Sequence, residues 1–354
     1  MSEAVAVTSG APPEKSRSAL GRILRIALVL AVIALLIAFA RTVNWHDAWT
    51  SIRNADRRWI ALAAIVNLLS IAVKGVRWWI FLRRIGVRGL WLATRATLAG
   101  AGLNNVLVAN GGEAARVVFV SRASGVPAGA VFATLALERM FDIVGYVVLL
   151  AVATLTLPLP PALARWRWPA AAAVVIILAL LWLLVVRGRA RRAGALERAA
   201  APVAQVLVGG SWGERLRGRI RHAAGQFLDG VAMVAGVRRF SAAFLLSLVA
   251  WGMQLATYAW TARAAGVNLP LAGSVATLLA VNLGFLLRAT PGNVGFFQLA
   301  YALAAVPFGA DRDAAIAASL LLQTLQIIPV TLLGVAMAPE FLVRRKGSDT
   351  GAAR

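Results

Sequence analysis

Three ionisable groups fall within five residues in Leu137-Glu138-Arg139-Met140-Phe141-Asp142-Ile143-Val144-Gly145, with Ala, Val and Leu on both sides. A charge at bilayer depth costs about 2.5–3.5 kcal/mol on insertion scales, so Glu138, Arg139 and Asp142 need partners and mark a functional-site hypothesis. At about 100° per residue, Glu138 and Asp142 share one helix face and Arg139 lies beside them. Carboxylates set against a guanidinium can orient it towards an anion. They can equally neutralise it as a knot that pins helices together, and the residues alone leave both readings open.

Two further constellations carry chemistry. Asn104-Asn105-Val106-Leu107-Val108-Ala109-Asn110-Gly111-Gly112-Glu113-Ala114-Ala115-Arg116 contains turn residues that stop a helix and start another. Glu113 then suits the dipole of the returning helix, while Arg116, one turn on, either holds a phosphate or pairs with Glu113. In Arg288-Ala289-Thr290-Pro291-Gly292-Asn293-Val294-Gly295-Phe296-Phe297-Gln298, the Pro and Gly residues leave backbone N–H groups free at a helix start, a seat for an anion, with Arg288 just before it. A plain turn with a snorkelling Arg288 is the alternative. Lys74 and Arg77 lie near one end of an apolar run beside Trp78 and Trp79, where snorkelling accounts for them and headgroup contact is the other option.

The elements that hold these residues follow from composition. Of 354 residues, 60% are hydrophobic and 14% charged, against about a quarter charged in soluble domains. The chain is therefore expected to be an all-α, polytopic membrane bundle. Cysteine is absent and the two histidines, His46 and His222, lie in polar stretches, so neither a metal centre nor a cofactor is expected. The 37 Lys and Arg against 14 Asp and Glu border apolar spans instead of covering a soluble face, which argues against nucleic acid and for anionic lipid headgroups.

Apolar runs long enough to cross about 30 Å of hydrocarbon lie at 23–40, 59–82, 128–157, 168–186, 240–262 and 314–338. Residues 1–20 read as a disordered cytoplasmic tail. Arg22 and Arg25 before the first run, with Ala38-Phe39-Ala40 after it, also resemble a secretory signal, but the run is read as an uncleaved span. The transmembrane region is expected at 21–343. Eleven Arg between 187 and 239, and Arg344, Arg345 and Lys346 ahead of a tail at 344–354, put that basic loop and both termini on the cytoplasmic side of a cell membrane.

Crossing parity then forces two exceptions. Arg83 to Arg95 is inside, and the span from Ala128 must start inside to leave Pro158 outside, so 96–122 must begin and end on one side. The same holds, from the opposite face, for 270–310. Two re-entrant or broken-helix segments follow. At an offset of 180 residues, seven of seventeen positions from Ala96 to Gly112 are identical to those from Ala276 to Gly292, which suggests an inverted repeat, the architecture that places half-helix ends at a midplane site.

With these motifs assembled, the chain resembles the flippase-like transmembrane region of the lysylphosphatidylglycerol synthetase family over roughly 23–344. The resemblance rests on Arg77-Trp78 with Leu82-Arg83-Arg84-Ile85-Gly86, on Gly112-Glu113-Ala114-Ala115-Arg116, on Glu138-Arg139 followed by Asp142, and on Pro291-Gly292-Asn293-Val294-Gly295. Gln298 stands where many members carry Glu, which removes a charge. The resemblance implies translocation of an anionic phospholipid, an aminoacylated lipid or a polyprenyl-phosphate carrier, without enzymatic activity. Only ten residues follow Arg344, so the aminoacyl-transferase domain of longer members is not expected. The candidate substrate contacts are Asn104, Asn105, Glu113, Arg116, Glu138, Arg139, Asp142, Arg288, Gly292, Asn293 and Gln298, with headgroup contact at Lys74 and Arg77. A non-transporting partner of a lipid-modifying synthase and a lipid-carrier transferase stand as alternatives.

Overall fold

The computed structural model describes residues 45–106, 111–158, 160–165, 167–169, 171–172, 174–176, 237–284, 293 and 295–337, and among them every regular element is helical. Helix α1 spans Trp45–Arg53, α2 Arg57–Leu82, α3 Leu90–Val106, α4 Gly111–Ser124 and α5 Ala128–Thr156. Helix α6 spans Val237–Ala264, α7 Leu271–Gly284, α8 Phe296–Ala305 and α9 Arg312–Met337. Helices α2, α5, α6 and α9 match four of the expected spans to within three residues at each end. Of the run expected at 168–186, the described part lies in a short apolar helix, Arg167–Ile176. The run at 23–40, nearly all of the basic loop, and both tails lie outside the described residues.

Three helices, Arg57–Ile85, Arg238–Ala264 and Arg312–Gly334, are long and apolar enough to cross a membrane. At 29 residues and about 1.5 Å per residue, α5 is long enough too, although it carries the Glu-Arg-Asp cluster. Polarity is turned inside out: Leu62, Ile65 and Leu69 of α2, Ile143 of α5, Leu245 and Val249 of α6 and Leu332 of α9 are exposed, while Arg77, Arg116 and Glu138 are buried. A water-soluble fold does the opposite, because charge stays hydrated and large apolar patches are covered. This is a membrane protein with acyl chains as its outer solvent.

The shorter helices come in pairs. Helices α3, α4, α7 and α8 have 17, 14, 14 and 10 residues, about 15–26 Å each, less than the hydrocarbon thickness. They stand where parity requires broken segments, and the linking residues 107–110 and 285–292 lie outside the described residues.

The order long, short, short, long occurs twice. Helices start at 57, 90, 111 and 128, and again at 237, 271, 296 and 312. The turns repeat as well: Gly86 and Gly266 are both left-handed, with φ 96° and 78°. Val87 N–H donates to the Leu82 carbonyl at 3.1 Å and Val267 N–H to the Ala262 carbonyl at 2.9 Å, the same helix-ending motif in the same register. Left-handed Gly125 and Gly309 then precede α5 and α9.

The halves pack head to tail. Asp56 N–H at the start of α2 donates to the Ala264 carbonyl at the end of α6 at 3.0 Å, and Arg77 near the end of α2 donates to Ser247 in the first half of α6. Helix α9 runs antiparallel to α3, with Gly102 against Gly334 and the Arg95 guanidinium on the Met337 carbonyl. Helix α5 runs antiparallel to α7, where Tyr146 donates to the Leu279 carbonyl at 3.1 Å and Ala153 packs with Val275. Exchange of equivalent partners between antiparallel halves is the contact pattern of an inverted repeat. Without a hydrophobic drive between helices in lipid, small residues set such close crossings.

Candidate functional site

The charged residues of α2, α4 and α5 meet about 8–21 Å in from one end of the bundle, counted as helical rise from Leu82 and Ala128. At that end Leu82, Val87, Val131 and Ala243 share one apolar cluster. Trp78 has no exposed surface, and its indole N–H donates to the Thr134 hydroxyl at 3.0 Å, fixing α2 against α5. Its ring lies under Arg116, whose guanidinium carbon is 4.2 Å from the centroid.

Glu138 is the hub. Its Oε2 accepts from Arg116 Nη2 at 2.7 Å, and its Oε1 lies 3.6 Å from Arg77 Nη2. Arg116 also donates to the Thr97 hydroxyl of α3 at 3.1 Å. Arg77, fully buried, donates Nη2 to Asp142 Oδ1 and Nη1 to the Ser247 hydroxyl, both at 2.7 Å. Arg139 points outward from this layer. It pairs with Glu113 and, at 3.4 Å, with Asp142, and its side chain is 48% exposed. Desolvation of a buried ion pair is offset only when geometry and extra hydrogen bonds are good; here Thr97, Ser247 and the Trp78 face supply them.

Two sequence expectations change in this geometry. Arg77 does not snorkel: its acceptors are inside, so burial with Asp142 replaces the aqueous end. Arg116 does not pair with Glu113 one turn back, because the stack on Trp78 turns it inward to Glu138 and frees Glu113 for Arg139. Lys74, half-buried one turn before Arg77, lies in the field of Asp142, Arg77 and Arg139. No ion pair or hydrogen bond reaches its ammonium among the described residues.

The α3–α4 hairpin sets this layer through two glycines. A Cβ on Gly100 would occupy the position of Arg116 Cγ, and one on Gly112 would collide with the Gly100 carbonyl oxygen. Asn104 Oδ1 accepts from Gly112 N–H at 2.8 Å, capping the start of α4. Asn105 instead reaches α9, donating to the Thr331 hydroxyl at 3.1 Å. In the second half, Gln298 accepts from Gly295 N–H and donates to Gln323 Oε1, both at 2.6 Å. Asn293 is left-handed at φ 57° and buried, with neither amide atom hydrogen-bonded. Arg288 and Gly292 lie outside the described residues, so Asn293 and Gln298 are placed on the α8 side and the structure draws only the first-half residues into one cluster.

The two halves superimpose in sequence register but not in charge. The Glu113–Arg139 ion pair has its counterpart in the Gln298–Gln323 hydrogen bond, and the Arg116–Trp78 stack in the Tyr301–Tyr258 stack, 6.3 Å between centroids. Carrying the helix starts across, Lys74 maps to Gln254, Arg77 to Thr257, Glu138 to Leu322 and Asp142 to Gln326. Every charged member of the first-half cluster faces a neutral counterpart. Sequence reading missed Thr97, Ser247 and Gln323, since no motif marks a hydroxyl or amide that completes another residue's bonds; only the helix starts, which shift the offset to 185 at Glu113 and 184 at Arg139, pair Gln298 with Gln323.

Residues 23–334 match the family described as the lysylphosphatidylglycerol synthase TM region. The chain belongs to that family. Among curated relatives it is 25% identical to "Glycosyltransferase AglD" of Haloferax volcanii, over 88% of this chain and 53% of the relative. It is 23% identical to "UPF0104 membrane protein PH1989" of Pyrococcus horikoshii, over 79% of this chain and 86% of the relative. The chain thus spans about half the length of the Haloferax protein. Membership matches the membrane architecture and the resemblance carried by Glu113, Arg116, Glu138, Arg139 and Asp142.

Proposed function

We propose that this family member is a flippase-like lipid transporter of a cell membrane. It moves an anionic phospholipid, an aminoacylated lipid or a polyprenyl-phosphate carrier past the Lys74–Arg77–Glu113–Arg116–Glu138–Arg139–Asp142 cluster. One observation carries this reading: the equivalent layer of the second half is built from neutral residues in the same register. The fold therefore accommodates that layer without charge, and seven ionisable groups in the apolar interior serve something besides helix pinning. Arg139, the exposed member, meets the headgroup with Glu113 and Asp142 beside it; Arg77 and Arg116 hold the layer behind them. The broken α3–α4 and α7–α8 segments give the two halves a means of rocking about the site.

The test is reconstitution. Arg139→Ala and Glu113→Ala variants that insert and fold like the parent chain are expected to lose translocation of a fluorescent phospholipid in liposomes; full retained transport removes the cluster from the mechanism. A second reading, a membrane enzyme acting on a lipid carrier, draws support from the name of the Haloferax relative and from carboxylates set beside guanidinium groups. A radiolabelled carrier separates the two, because a transporter returns it chemically unchanged.

A further inference from the structure

We infer that the cluster is built for a single phosphodiester monoanion, seated between Lys74 and the open edge of Arg139. The favoured lipid then carries one net negative charge at its headgroup, in preference to a diphosphate carrier or an aminoacylated lipid. This rests on the lipid-binding reading above and decides among the classes that reading leaves together.

The argument is a count of charge and of hydrogen-bond capacity. Among the described residues the cluster holds four cations, Lys74, Arg77, Arg116 and Arg139, and three anions, Glu113, Glu138 and Asp142. Six of the seven are joined by ion pairs, and the surplus positive charge belongs to Lys74. A donor is in surplus too: no acceptor among the described residues reaches the Lys74 ammonium. A net-positive layer with a spare donor in an apolar surround calls for an acceptor-only ligand, and one negative charge brings its described members to neutrality. A diphosphate would overshoot to a net negative layer. An amino headgroup would add a cation beside Arg139 while Glu113 and Asp142 are already taken, and a zwitterionic lipid would leave the surplus where it is.

The test uses the full chain in phosphatidylcholine nanodiscs, competing fluorescent phosphatidylglycerol against unlabelled phosphatidylglycerol, lysylphosphatidylglycerol, phosphatidic acid and a polyprenyl diphosphate. Phosphatidylglycerol is expected to compete at least tenfold better than the lysyl and diphosphate lipids. Lys74→Gln, which installs the residue type found at the equivalent Gln254, is expected to lose that affinity about tenfold with an unchanged melting midpoint, and Lys74→Arg to keep it. Unchanged phosphatidylglycerol binding by Lys74→Gln, or tightest binding of the diphosphate, overturns the assignment while the lipid-binding reading stands. No saturable binding of any of these lipids above the phosphatidylcholine background brings down both.

Discussion

Replacing Glu138 by Gln keeps the shape of the hub and deletes its charge. In the parent chain Glu138 faces Arg116 at 2.7 Å and Arg77 at 3.6 Å, with side-chain exposures of 3%, 5% and 0%. The variant leaves buried Arg116 with no carboxylate and Arg77 with Asp142 alone, and uncompensated buried charge of this kind costs about 3–5 kcal/mol. Glu113→Gln makes the same chemical change opposite Arg139, which is 48% exposed and keeps Asp142 at 3.4 Å, so it retains a carboxylate partner and the cost is about 1 kcal/mol. The two variants should therefore differ by at least about 2 kcal/mol, more than tenfold in the unfolding equilibrium. The assay is reversible SDS unfolding in mixed micelles, followed by tryptophan fluorescence. A double variant, Arg116→Met with Glu138→Gln, should recover most of the loss, since it removes the orphaned cation and moves the layer towards its neutral twin. Equal destabilisation by Glu138→Gln and Glu113→Gln, within about 0.5 kcal/mol of one another, would refute the division into a locked inner layer and an open outer one.

Gly112→Ala should cost several-fold in folded yield, because its methyl meets the Gly100 carbonyl backbone with no flexible side chain to give way; detergent-stable monomer by size exclusion reads it. Gln298→Glu buries a charge against Gln323 Oε1, already 2.6 Å away, and should destabilise by about 1–3 kcal/mol in the same SDS titration. Cysteines placed singly at Asn110, two residues before the tightly packed Gly112, and at Gly292, in a chain with none of its own, should label from opposite faces of sealed vesicles with an impermeant maleimide. Labelling from the same face defeats the inverted arrangement.

The sequence by itself determined the solvent and the long helices, and named five charged residues of the cluster. Sixty per cent apolar residues in runs of helical length leave only a membrane bundle, and charge parity alone forced breaks at Asn104–Arg116 and near Pro291, where short helices indeed stand. It also put Glu113, Arg116, Glu138, Arg139 and Asp142 on one list, because isolated charges in apolar sequence are costly wherever they end up. What it did not determine was who pairs with whom. Local spacing joins Glu113 to Arg116 and sends Arg77 out to snorkel, whereas the fold brings α2 and α5 together so that Trp78 turns Arg116 towards Glu138 and Asp142 captures Arg77. Those choices depend on contacts across 22 to 65 residues of chain, and on two glycines that let α3 and α4 touch. Pairing inside a bilayer is settled by which helix faces pack, and helix faces are assigned only when the whole bundle closes.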